Sequence, residues 1–190
     1  MLKELFIGAV IGFSFGIVFW ALGSAGDIID NKIGAATAQA TDPMSGVNGA
    51  EFGRLFARLA GYLFVAFGGV RVFLDLVLSS YRVWPLAAPW PALETAGALF
   101  FIERSGDLLR LALLLSAPVW IVLALADVAL GLVNRYAQQL NVYVLSMAIK
   151  SWLAALVVGL IALAVADNVA GWIGTQRSLL DALRVAVPAP

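Results

Sequence analysis

Four apolar stretches alternate with polar breaks along the chain, and their lengths predict helices, not strands. The first runs from Lys3 to Gly26 and carries no charge from Leu5 onward, enough for a spanning helix. Gly8, Gly12 and Gly16 fall at i, i+4 and i+8, which predicts a face that another helix backbone can approach closely. Its apolar run is longer than that of a signal peptide, and no Ala-x-Ala cleavage site follows, so a retained helix is expected.

The later stretches are less clean. A second helix is expected over 49–83, with Glu51, Arg54 and Arg58 on one face and Arg71, Asp75 and Arg82 on another. Arg71 and Asp75, at i and i+4, can pair. Pro85, Pro89 and Pro91 with Trp84 and Trp90 form a stiff aromatic connector of the kind found at a membrane interface. A third helix over 93–133 is expected in two pieces, with Glu103, Asp107 and Arg110 on one face and a kink at Pro118. The fourth covers 142–169. Its clean part, Ser151 to Ala166, reaches only about 24 Å against a hydrocarbon core of roughly 30 Å. A short amphipathic piece, Gln176 to Val187, then suggests an interfacial or docking helix. On this reading only the first helix is a clean lipid span. Charges within the others require protein or water around them, which favours a subunit of a larger assembly.

Between the first two helices lies a long polar stretch, Asp27 to Glu51, rich in small residues. Loops of this length without structure of their own are uncommon and tend to be functional or disordered. Small residues allow close packing and rearrangement, and Asp42-Pro43 starts a turn. A lid, gate or plug is one reading; a passive connector is the other.

Composition narrows the class. Of 190 residues 62% are hydrophobic and 13% charged, far from the roughly 25% charge of a soluble domain. Lys and Arg balance Asp and Glu at 12 each, so no nucleic acid or polyionic partner is implied. The chain has no Cys and no His, which removes thiol nucleophiles, disulfides, imidazole bases and most zinc or haem sites. No phosphate-binding loop is present, and no cofactor is expected.

Ordered blocks then resemble one family. They are Phe19-Trp20-Ala21, Ala25 to Lys32, Gly34, Asp42-Pro43-Met44-Ser45-Gly46, Leu125 to Tyr136, and Gln139 to Ser151. Together they resemble the T component of the type III secretion export apparatus (the SctT, HrcT, YscT and SpaR group), related to flagellar FliR. The block Leu140-Asn141-Val142-Tyr143 running into Ser146-Met147-Ala148-Ile149-Lys150-Ser151 resembles the injectisome branch. Gly23 stands where an acidic residue is common in the family, Ile33 where a basic one is common, and Gln138 and Ala148 where prolines are common. Members usually carry further hydrophobic sequence ahead of the segment that opens here, so those helices are expected to be truncated, on another chain or outside this sequence.

The resemblance implies an all-α fold of hydrophobic helical hairpins packed in a helical, pseudo-symmetric hetero-oligomer. It divides the chain into a T-type domain, 1–170, and a C-terminal amphipathic tail, 171–190. The implied role is a non-enzymatic structural and gating subunit in the bacterial inner membrane, passing unfolded secreted proteins. The implied partners are R-type and S-type subunits, the large export-gate subunit, the switch-type U subunit and membrane lipid. The family's plug loop corresponds to 33–50, which nominates Ala35, Ala36, Thr37, Gln39, Thr41, Asp42, Pro43, Met44, Ser45, Gly46, Val47 and Asn48.

Seven charges are expected at helix ends or interfaces: Asp27, Asp30, Arg71, Asp75, Asp127, Arg135 and Lys150. For Asp27 and Asp30, capping or pairing with Lys32 or a neighbouring subunit outweighs acid–base chemistry, since no partner for catalysis lies nearby in sequence. No metal site is expected. The competing functional class is a small-solute permease or its accessory subunit, which should show inverted repeats; none is visible in this sequence.

Overall fold

A computed structural model describes residues 2–34, 51–83, 95–136 and 142–178. The plug residues nominated between Ala35 and Asn48, the Trp84–Pro91 connector and most of the amphipathic tail lie outside the described residues. The described chain is all helical: α1 Leu2–Ile33, α2 Glu51–Ala66, α3 Gly69–Val83, α4 Thr95–Tyr136 and α5 Val142–Thr175, closed by a 3-10 turn at Gln176–Ser178.

Three expectations about the helices are corrected. The stretch expected as one helix over 49–83 is two, bent by 70°. The break falls at Phe67-Gly68, where Gly68 adopts φ 74°, a left-handed conformation that favours glycine. Gly69 follows for a steric reason: a Cβ there would run into the Phe64 ring. The third helix is not two pieces, because α4 continues through Pro118 for 42 residues. One missing N–H is tolerated in so long and apolar a helix. The fourth helix is not short. α5 runs 34 residues, since Asp167 and Lys150 lie on a continuous helix and do not end it.

Consequently α1, α4 and α5 are each long and apolar enough to cross a membrane, where the sequence pattern singled out α1 alone. Burial inverts that expectation further. The most apolar window of α1 is 44% buried within the protein, against 28% in α4 and 22% in α5.

The chain divides into two compact units. One comprises 1–21, 59–110 and 166–190. Val10, Ile11, Phe15, Leu76 and Phe100 form its core, with Phe64, Phe73, Phe101 and Trp172 packed around them. Phe15 is the hub. Its ring meets Phe73, Trp172 and Phe64 edge-on at 5.1, 5.7 and 6.1 Å, the arrangement that aligns ring edges with ring faces. The other unit comprises 22–58 and 111–165. Leu22, Ala25, Ile29, Phe56, Val119, Leu123 and Ala154 are fully buried there.

Within this chain, no described helix occupies the glycine face expected on α1. A Cβ on Gly8 or Gly12 would meet nothing, and one on Gly16 would meet only the Trp20 ring of the same helix. The close backbone approach is at Gly26. A Cβ there would strike the Phe52 carbonyl and the Gly53 backbone at about 2.5 Å, so α1 and α2 touch main chain to main chain.

Candidate functional site

The second unit gathers its polar side chains around the C-terminal end of α1. That helix stops where Gly34 takes φ 97° and its N–H bonds back to the carbonyls of Asp30 and Asn31, both at 3.2 Å. This is a left-handed glycine cap. The segment nominated as a plug departs directly after it and rejoins described structure at Glu51, the first residue of α2.

Asp30 ties those two points together. Its carboxylate accepts the backbone N–H of Gly53 at 2.9 Å and of Phe52 at 3.2 Å, in the first turn of α2. A carboxylate near the C-terminal end of its own helix opposes that helix's dipole. Here the opposition is offset, because the same carboxylate fills the role of an N-cap for a different helix and satisfies two of its orphan donors. Asp30 is buried, and the Gly26–Gly53 contact one turn away lets α2 come close enough for these bonds. Gly53 is hemmed in twice, since its Cβ would also collide with a carboxylate oxygen of Asp27. Asp27 itself is exposed.

Lys32 makes a second tie. It does not pair with Asp27 or Asp30, as expected from sequence proximity, but with Asp127 on α4 at 2.8 Å. Helical phase explains the difference: two residues is about 200° of rotation, so Asp30 and Lys32 point to opposite sides of α1. Lys150 on α5 binds the other oxygen of the same carboxylate. The Lys32 ammonium also lies 5.0 Å from the centre of the Trp120 ring, within cation–π range. The side chains are 25%, 35% and 14% exposed for Lys32, Asp127 and Lys150, so the node is half-sheltered and open on the Asp127 side. Residues 30 and 32 of α1 thereby bond to α2 and α4, and Asp127 of α4 carries the tie on to Lys150 of α5.

Of the seven nominated charges, the structure brings Asp30, Asp127 and Lys150 into this region, with Asp27 beside it. Arg71 and Asp75 lie elsewhere, on α3, at 3.9 Å from one another and 89% and 70% exposed. They rim an open cleft of about 600 Å³ at the α2–α3 bend, floored by Val72 and Leu76. Arg135 is exposed near the end of α4, with no ion pair among the described residues. Sequence reading missed the parts played by Lys32, Gly26, Gly53 and Trp120. Lys32 carried the only usable signal, a lysine in the last turn of an apolar helix. Among the described residues no group of three Asp or Glu side chains converges as a metal site would require.

Chemically, the region holds helix ends together. Asp30 caps two backbone donors of α2, and Asp127 accepts an ammonium from each of Lys32 and Lys150.

The chain matches the model of the family described as "Bacterial export proteins, family 1" over residues 1–175. It is 38% identical over 154 residues to the Yop proteins translocation protein T of Yersinia pestis, covering 81% of this chain and 59% of that protein. It is 33% identical over 158 residues to the surface presentation of antigens protein SpaR of Shigella sonnei, covering 83% and 60%. The flagellar biosynthetic protein FliR of Escherichia coli strain K12 is 30% identical over 149 residues, covering 75% and 54%. The chain therefore spans about three fifths of the length of the curated relatives it matches.

Proposed function

The chain belongs to the bacterial export proteins of family 1, and from that membership we propose that it is a structural and gating subunit of a type III protein export gate in the bacterial inner membrane. Its cargo is unfolded secreted protein. Its partners are R-type and S-type export subunits, the large export-gate subunit and the switch-type U subunit. It performs no catalysis; energy for transport comes from elsewhere in the machine. The residues from Ile33 to Ala50 close the channel until substrate arrives, and the helical body, 1–170, holds them in place with the tail, 171–190, as an accessory.

One observation carries this reading. Asp30 bonds to Phe52 and Gly53, so the point where the polar stretch leaves α1 and the point where it re-enters α2 are fastened together. A segment that must seal a pore needs fixed ends, and these bonds fix both of them. The three helices of spanning length supply the membrane setting. The test is deletion of Thr41 to Gly49 in the assembled complex. Membrane leak of small ions should rise while assembly persists. Complexes that assemble and remain as tight as wild type would refute the gate.

A further inference from the structure

Helix α1 carries the seat of α2 twice. Gly26 takes the main-chain contact of Gly53, and Asp30, four residues on, caps Phe52 and Gly53. Gly23 and Asp27 repeat that glycine–carboxylate pair at the same spacing, about one turn nearer the start of the helix. Three residues advance a helix by about 4.5 Å and turn its face by roughly 60°, so the two pairs lie side by side. A helix moved by that one step would meet the second pair in the geometry of the first.

The second pair is open and within reach. A Cβ on Gly23 would meet nothing within 4 Å, whereas one on Gly26 would strike α2. Asp27 is exposed, and its carboxylate already lies against Gly53. The step also leaves the apolar packing in kind. The buried face of α1 is apolar at each turn of this stretch, through Leu22, Ala25 and Ile29, so sliding by one turn exchanges apolar neighbours for apolar neighbours. Glycine at 23, 26 and 53 keeps side chains out of the crossing. Steps of one turn between packed helices are a recurrent form of two-state change. Asp30 is buried and Asp27 exposed, so the occupied seat has the stronger hydrogen bonds and is the resting one.

We propose that α1 and α2 form a two-position latch, in which α2 rests on Gly26 and Asp30 and steps to Gly23 and Asp27. The step carries the first residue of α2 about 4.5 Å along α1. The two positions follow from the helix geometry; that the step opens the channel rests on the gate reading.

The chain has no cysteine, so paired spin labels can be introduced without background. Leu5→Cys and Glu51→Cys, both exposed, report where the start of α2 stands along α1. Breaking the exposed Glu51–Arg54 pair for this purpose costs little. Double electron–electron resonance on the full chain in mild detergent should give one main distance for the wild type. D30A should shorten it by about 4.5 Å. D27A should leave it unchanged, and D27A with D30A should broaden it, because both caps are gone. G23V should be silent alone and should abolish the shorter distance in the D30A background. D30N keeps the shape of the side chain and protects the fold; it should populate both distances, and adding G23V should remove the shorter one. A D30A distance equal to that of the wild type would overturn the latch, as would one no different from that of the double variant. So would a D30N distribution that G23V leaves unchanged. Leak on deletion of Thr41 to Gly49 with no step in D30A or D30N would keep the gate and overturn the latch. A step with no leak on that deletion would keep the latch and remove its role in a gate.

Discussion

Both units bury apolar side chains, but they differ in what is added to that burial. The unit built on 1–21, 59–110 and 166–190 is an aromatic cluster in which Phe15 touches three rings. The unit built on 22–58 and 111–165 adds to its buried aliphatic side chains one glycine–glycine contact, one cap and one three-residue charge node. Ring packing prefers edge-to-face geometry, but it is spread over many atoms and no single contact carries it. A cap, a main-chain contact and an ion pair are directional and depend on a few atoms each. The first kind of unit suits a scaffold. The second suits a place that holds a chain segment at a set position and can release it through a small change.

That contrast can be broken at its strongest point first. Phe15→Ala should be the most damaging single change, costing about 4 kcal/mol through lost burial and the cavity left behind. Thermal unfolding in detergent should show it as the lowest melting temperature of the series. Phe15→Leu, which refills most of the space, should recover much of the loss. If the two variants melt alike, the ring geometry contributes little.

Gly53→Val should come next, at about 3 kcal/mol, because a side chain there meets Asp27 and the α1 main chain and overpacks the crossing. Gly8→Val should be silent by comparison, since nothing stands within 4 Å of its Cβ position. The pair separates a true helix crossing from a stripe of glycines that is merely small. Equal damage at both positions would mean that the crossing is at the wrong place.

Asp127→Asn should be milder, at about 2 kcal/mol, less than a fully buried pair because the carboxylate is partly exposed. The double variant Asp127→Asn with Lys150→Gln should be more stable than additivity allows, since it removes a lysine that the single variant leaves unpaired. Strict additivity in this double-mutant cycle would show that Lys150 and Asp127 do not interact.

Much of this architecture was legible in the sequence, in a characteristic way. Long apolar runs announced α1, α4 and α5, and i, i+4 spacing announced Arg71 with Asp75. Local punctuation was read less well. Pro118 looked like a break, yet a helix with many turns on both sides absorbs one lost hydrogen bond. The real break at Gly68 was hidden because a glycine inside an apolar run is usually tolerated. The anchor was beyond sequence for a different reason. Asp30 and Gly53, Gly26 and Gly53, and Lys32 and Asp127 are all pairings between helices. Periodicity states which face a residue occupies, but not which helix that face meets. It could have excluded the Asp30–Lys32 pairing, because their spacing places them on opposite sides of α1.

The most direct measurement is ion leak across membranes carrying the assembled complex, compared between Asp30→Ala and Arg71→Ala. Asp30→Ala removes both bonds to the first turn of α2, while Arg71→Ala removes only a weak exposed pair. Asp30→Ala should leak measurably with normal assembly, and Arg71→Ala should stay as tight as wild type. Assembled Asp30→Ala complexes with no leak, or equal leak in both variants, would contradict the proposal that the end of α1 anchors a gate.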